Sequence, residues 1–246
     1  MQLTPQQIAD FEKNGFLLLP SFASPKICED ILEIAKQELD EENQPIETEE
    51  EYLEINNSKK NTIRRLRQVY TRHEKFAQWM ENREIRPILK QLLKDTPILT
   101  LAHHNSIMTK MPYTSSRTCW HQDIRYWNFE NDNLLSVWLA LDDEFLENGL
   151  LEFIPSSHKL NIKPHQFDKK TCFRDDIEEN KRLISQKVHS NLKRGDVVLF
   201  HCKTLHAASK NYTNKPKISF VYTVRGESNL PIKDTRSTQH KEVTLL

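Results

Sequence analysis

The sequence predicts an α+β fold in a single domain over residues 1–246, helical to about residue 95, with a β-barrel or sandwich over about 96–226 and a short C-terminal tail. Two observations carry this. Apolar residues recur at helical spacing before Asp95, and six short β-type runs follow it, each bounded by Pro, Gly, Asn or Asp. A third bounds the class: no apolar run approaches the roughly 18 residues that a membrane-spanning helix needs.

The elements follow in order. Thr4 before Pro5, with apolar Ile8 and Phe11, reads as a capped short helix to Lys13, and GFLLLP (15–20) as a strand. Ser24 and Pro25 open a second helix that puts Ile27, Ile31, Leu32 and Ala35 on one face. Residues 38–54 are strongly acidic and contain Pro45, which predicts a mobile surface loop or flap. Phe76, Trp79, Ile85, Ile88, Leu89 and Leu92 predict a third helix over 74–94. The strand runs are PILTLA (97–102), NSIMTKM (105–111), LLSVWLAL (134–141), GLLEFIP (149–155), GDVVLFH (195–201) and KISFVYTV (217–224). Residues 159–192 are charged and poor in apolar positions, so they read as a mobile insertion on one rim.

Composition excludes several functions. Lys+Arg and Asp+Glu are 35 each, so net charge is zero, which argues against a nucleic-acid partner and a polybasic membrane anchor. The N-terminal MQLTPQQIADFEKNG lacks the apolar centre of a signal peptide, which predicts a cytoplasmic protein. Cys28, Cys119, Cys172 and Cys202 are scattered with no CxxC pair, which predicts reduced thiols. Glycine occurs only 4 times, and neither GxGxxG nor GxxxxGK[ST] is present, so the common phosphate cradles are missing.

The chemistry concentrates on the strand half. In CWHQDIRYW, His121 and Asp123 are two apart and share a face if extended. His206 in FHCKTLHAASKN follows an apolar strand and is the third candidate, with His201 its rival. Two imidazoles and one carboxylate form a facial triad for Fe(II) and leave adjacent positions open for O₂ and a co-substrate. Alone, an HxD pair is a weak signal, since two polar residues at alternate strand positions usually mark a solvent-facing strand.

The series from Leu3 through GFLLLP, WHQD, Trp138, ENGLLEFIPSSHK and GDVVLFHCKTLHAASKN resembles, in this order, the phytanoyl-CoA dioxygenase family over about residues 3–225. The resemblance implies a double-stranded β-helix (a jelly-roll, cupin-like barrel) with N-terminal and flanking helices. It implies a non-haem Fe(II)- and 2-oxoglutarate-dependent oxygenase that uses O₂ to hydroxylate a small molecule, releasing succinate and CO₂. By the same match His121, Asp123 and His206 hold the metal, Trp138 lines the co-substrate pocket, and Asn105 and Thr109 offer polar contacts to 2-oxoglutarate. No catalytic residue beyond the metal shell is implied. His103 and His104 are adjacent and cannot both reach one metal, and His158 matches a structural turn position.

The pattern also departs from the family. Eleven residues after the distal histidine the family has an Arg that grips the far carboxylate of 2-oxoglutarate in a bidentate fork. Here that position is Lys217, a point donor without the fork, and the usual small hydroxyl residue is Ala208. Arg225 shares the strand face of Lys217, but eight residues at about 3.3 Å each carry it some 26 Å away. Arg125 and Trp127 are candidates for the substrate pocket. The departures keep a second reading open, a catalytically inactive metal- or ligand-binding barrel of the same fold. Asp123 stands against a halogenase, which would carry a small residue there.

Overall fold

The computed structural model describes residues 1–54 and 61–246. The first helix, α1 (Pro5–Asn14), starts where Thr4 Oγ1 accepts the Gln7 N–H at 3.2 Å and the Gln7 side chain returns to the Thr4 N–H at 2.9 Å. It stops at Gly15, whose φ of +85° is a left-handed cap. Strand β1 (Phe16–Leu19) follows, and then α2 (Pro25–Asp40), opened by Ser24.

The acidic stretch is not a loose flap. After α2 it forms β2 (Ile46–Thr48) and α3 (Glu49–Leu53), because arginines of the following strand meet its buried carboxylates. Glu47 receives Arg65 at 2.6 Å and also Arg67, and Glu49 receives Arg64 at 3.4 Å, all from β3 (Ile63–Arg67). The helix predicted over 74–94 is two, α4 (Glu74–Met80) and α5 (Arg86–Leu93), since Pro87 lacks an N–H and suits only a first turn.

The remaining strands of the large sheet are β4 (Pro97–Thr100), β5 (Ser106–Lys110), β7 (Leu134–Ala140), β9 (Val197–His201), β11 (Lys217–Gly226) and β12 (Glu242–Thr244). Among the described residues this antiparallel sheet runs β1-β9-β7-β11-β5-β3-β2, with β4 joining β11 to β12. The predicted short C-terminal tail contains β12, which docks on β4. A smaller sheet pairs β6 (Thr118–His121) with β10 (His206–Ala208) and β10 with β8 (Leu151–Phe153).

Alternation along the strands gives the large sheet two buried faces. Leu135, Val137 and Leu139 of β7 and Ile218, Phe220 and Tyr222 of β11 pack with Phe76, Trp79 and Leu89 of the helices. Trp138, Phe200 and Val221 instead pack against Leu151, Phe153 and Ala208 of the small sheet. The space between the sheets is the barrel interior, and burial on both faces is why β7 is apolar at every position but Ser136.

The 159–192 insertion is anchored more firmly than its composition predicts. Phe167 and Phe173 pack with Trp120 and Leu205, and α6 (Glu178–Ile184) seats the buried Asn180 on the Gln166 and Arg174 carbonyls at 2.9 and 2.7 Å. Cys172 forms a disulfide with Cys119, whose Cα lies 5.7 Å away. That corrects the expectation of four reduced thiols; only Cys28 and Cys202 are free, both buried. Such a bond also fits a reducing compartment poorly, in tension with the cytoplasmic expectation. No helix among the described residues is long and apolar enough to cross a membrane.

Candidate metal centre and its cavity

His121 ends β6 and His206 opens β10, and the two are direct register partners across the small sheet. Their rings therefore meet, with centroids 4.2 Å apart. Gln122 is still extended (φ −117°, ψ 128°), so Asp123, the first residue of a 3-10 turn, falls on the same side as His121. Asp123 Oδ1 lies 3.6 Å from Nε2 of both histidines. One ligand atom from each of the three lies within 4.8 Å of the others, close enough for the set to hold one metal ion.

The surrounding hydrogen bonds fix the donors. His121 Nδ1 is 2.8 Å from the Cys119 carbonyl and His206 Nδ1 is 3.0 Å from the Thr204 carbonyl. A carbonyl only accepts, so the proton sits on Nδ1 and the Nε2 lone pairs face Asp123. Ser136 Oγ donates to the other Asp123 oxygen at 2.9 Å. Burial drives the Asp123 carboxyl upward, and the facing imidazoles of His104, His206 and His121 overcome it, holding it below the usual carboxylate range. Burial pushes His206 down to about 4, which keeps its imidazole neutral and able to ligate.

The rival histidines fall elsewhere. His201 Nδ1 accepts the Lys203 N–H at 3.1 Å and its ring faces His158. His103 Nε2 is 2.7 Å from Ser237 Oγ. His104, by contrast, stands beside the centre, with Nε2 3.5 Å from Asp123 Oδ1 and Nδ1 3.2 Å from Ser136 Oγ. Sequence reasoning dismissed it with His103 because neighbours point apart. Its left-handed backbone (φ +29°) turns this one inward alone.

The centre opens on a narrow cavity bordered by Trp138, Phe200, Arg64, Lys110 and Lys217. Trp138 and Lys217 thus both border this cavity. Lys217, however, is already paired: its Nζ is 3.3 Å from Glu144 Oε2 and 4.8 Å from the Trp138 ring centre. Ser219 Oγ donates to Glu144 Oε1 at 2.5 Å and Trp138 Nε1 donates to it at 3.1 Å. Burial lowers the Lys217 pKa, opposed by the Glu144 charge. Glu144 is fully buried and was not singled out from sequence.

Asn105 does not reach the cavity. Its Oδ1 accepts the Tyr70 N–H at 2.8 Å and its Nδ2 donates to the Leu101 carbonyl at 3.3 Å, so it braces a turn. Thr109 borders the cavity, but its hydroxyl donates to the Ile63 carbonyl at 2.5 Å. Both share the alternation of Ile107, a helix-side core residue, whereas Met108 packs inside the barrel. Lys110 follows Met108 in that alternation. It and Arg64 are the cations that sequence reasoning missed. Lys110 Nζ donates to the Ser116 carbonyl at 2.6 Å and Thr118 Oγ1 at 3.1 Å, and Arg64 reaches Thr118 Oγ1 at 2.8 Å. Arg125 stacks on Phe167 at 3.4 Å, Trp127 packs against the rings of His103 and His104, and Arg225 is paired with Glu242 at 2.9 Å.

The sequence model of the phytanoyl-CoA dioxygenase (PhyH) family matches residues 11–219. Peroxisomal phytanoyl-CoA dioxygenase of Homo sapiens is 31% identical over 140 residues, covering 51% of this chain and 40% of that protein. The match thus spans less than half the length of that relative. The probable alpha-ketoglutarate-dependent hypophosphite dioxygenase of Stutzerimonas stutzeri is 26% identical over 222 residues, covering 85% of this chain and 73% of that one. Among solved structures, the epimerase SnoN in complex with Fe3+, alpha ketoglutarate and nogalamycin RO superimposes with a TM-score of 0.76 at 18% identity, covering 92% and 84% of the two chains. EctD from S. alaskensis with 2-oxoglutarate and 5-hydroxyectoine gives a TM-score of 0.76 at 21% identity, covering 94% and 78%. These likenesses establish the jelly-roll fold. With a family match over most of its length and two facing antiparallel sheets, the chain belongs to the phytanoyl-CoA dioxygenase family.

Proposed function

We propose that the protein is a non-haem Fe(II)- and 2-oxoglutarate-dependent oxygenase that hydroxylates a small-molecule substrate and releases succinate and CO₂. One observation carries the reading: His121, Asp123 and His206 converge at the wall of a buried, cation-bearing cavity with their ligand atoms mutually in reach. Two imidazoles and one carboxylate suit Fe(II) and leave coordination positions open. When bound, the iron supplies the oxidising chemistry by activating O₂ with 2-oxoglutarate.

The chain's own residues supply positioning and dryness. The Cys119 and Thr204 carbonyls hold the imidazoles by Nδ1, and Ser136 fixes one Asp123 oxygen. Leu151, Phe200 and Val221 line the cavity with apolar surface, excluding water and strengthening electrostatic contacts inside it. The cations at its polar end favour an anionic co-substrate.

His206→Ala is expected to abolish stoichiometric Fe(II) binding with the fold intact, and His201→Ala to retain it. The reverse result would reassign the third ligand. One observation favours the second reading, a non-catalytic metal-binding barrel: Lys217 is occupied by Glu144. Anaerobic addition of 2-oxoglutarate to the Fe(II) protein separates the two. A visible charge-transfer band and substrate-stimulated succinate formation support the oxygenase, and neither would appear with an inert barrel.

A further inference from the structure

The polar end of the cavity holds Arg64, Lys110 and Lys217, and three buried carboxylates stand against these cations: Glu144, Glu49 and, 3.8 Å from the Arg64 Nε and already met by Arg65 and Arg67, Glu47. Each carboxylate has its own cation. Glu144 takes Lys217 and is further bonded by Ser219 and Trp138. Glu49 takes Arg64 and the Ser116 hydroxyl. Lys110 is left over. It is 6% exposed, and among the described residues its ammonium bonds only the neutral oxygens of Ser116 and Thr118. An ammonium has three donors, so one stays without a partner; Glu49 acts on it only from beyond contact, and a buried charge with no contacting counter-ion is costly.

Lys110 and Lys217 are register partners on neighbouring strands, β5 and β11. A ligand group that reaches the level of one therefore reaches the level of the other. At that level the Lys217 charge is already neutralised and the Lys110 charge is not. We propose that Lys110, with Arg64 beside it, receives the far carboxylate of a dicarboxylate ligand in this cavity, and that Glu144 withholds Lys217 from that role.

The identity of the dicarboxylate as 2-oxoglutarate rests on the oxygenase reading above; the surplus positive charge at Lys110 does not. The two ends of the cavity then match the two ends of the ligand. A divalent ion held by one carboxylate keeps positive charge for the near carboxylate, and Lys110 supplies it for the far one. Burial and the nearby charges of Arg64 and Lys217 push the Lys110 pKa well down, a penalty that an arriving carboxylate reverses.

The test is an anaerobic titration of the Fe(II)-loaded protein with 2-oxoglutarate, read by visible absorption and, in the Mn(II) form, by calorimetry. Lys110→Met is expected to weaken binding roughly thirty- to a hundredfold. The double variant Lys217→Met with Glu144→Gln removes the internal pair together, so no buried charge is stranded, and is expected to shift binding less than about threefold. 2-Oxobutyrate, which lacks the far carboxylate, provides a control that a merely structural role would not satisfy. The unmodified protein is expected to prefer 2-oxoglutarate, and Lys110→Met to bind both alike. Should Lys110→Met fail to fold, Lys110→Gln is carried through the same comparison. Loss of binding in the double variant with Lys110 variants unaffected would overturn this inference alone. No 2-oxoglutarate binding by the unmodified Fe(II) protein would overturn the oxygenase reading together with it.

Discussion

The hydroxyl of Ser136 is small, yet it touches two groups at once, donating to Asp123 Oδ2 at 2.9 Å and lying 3.2 Å from His104 Nδ1. Ser136→Ala removes the bond that orients the carboxylate and is expected to weaken Fe(II) binding about ten- to a hundredfold, measured by anaerobic equilibrium dialysis. Unchanged affinity would show that the turn alone orients Asp123. A second residue sets a pH response. Burial, with Arg236 and His104 nearby, pushes the His103 pKa down to about 3, and the side chain is only 2% exposed. Its folded value lies below the unfolded 6.5, so its stabilising contribution is full above pH 6.5 and is lost as pH falls toward 3. His103 should therefore account for roughly 2 kcal/mol of the stability lost between pH 7 and pH 5, beside the share of the likewise lowered His201 and His206. His103→Gln should make the fall in urea midpoint shallower by that amount. At this scale the His121–Asp123–His206 set was legible because the ordered motifs of the family resemblance singled out an HxD pair and a distal histidine that spacing alone left ambiguous. Lys110, Glu144 and His104 were not, because their partners arrive from other strands and from a turn geometry that no spacing announces.

Among the elements, the 159–192 insertion shows how little composition says about anchoring. It carries few apolar residues, but Phe167 and Phe173 fall against Trp120, and the Cys119–Cys172 bond ties it to the strand that bears His121. The two cysteines are 53 residues apart, so the bond closes a long loop. Cys172→Ser is expected to lower stability by roughly 2–4 kcal/mol in chemical denaturation. Dithiothreitol should reproduce the loss in the unmodified protein and add nothing in the variant. Equal midpoints with and without reductant would show that the bond contributes no stability. The acidic 38–54 stretch misled for a related reason. Charge density predicts a solvated loop, but Glu47 sits beneath Arg65 and Arg67, and which charges pair is decided by the β2–β3 register. The break between α4 and α5 was readable from Pro87 and outweighs the helical period around it.

On the scale of the molecule, one sheet serves two cores. Phe220 is buried on the helix side of β11 against Phe76, while Ser219 and Val221 on the same strand face the barrel. Phe220→Ala is expected to cost about 3–5 kcal/mol of folding stability and to leave Fe(II) affinity within twofold, because the cavity takes the other face. A parallel loss of metal affinity would mean that the two cores are not separable. The switch near Asp95 from helical apolar spacing to short bounded β-type runs made the fold class legible. Strand order was not, since partners such as β1 and β9 lie far apart in sequence and pair only through tertiary closure.

The left-handed cap at Gly15 does more than end a helix. Its carbonyl accepts the His201 N–H and the Thr204 hydroxyl, both at 2.8 Å, and Thr204 in turn holds His206 by its ring nitrogen. A Cβ at position 15 would sit 2.4 Å from the His158 ring and 2.5 Å from Thr204. The first helix is thus geared to His206 of the candidate metal centre through one loop, so a disturbance at the outer surface near residue 15 is transmitted to that centre. A change there would be felt as altered metal retention before any loss of the barrel, which makes the amino-terminal helix a remote tuning point for the centre.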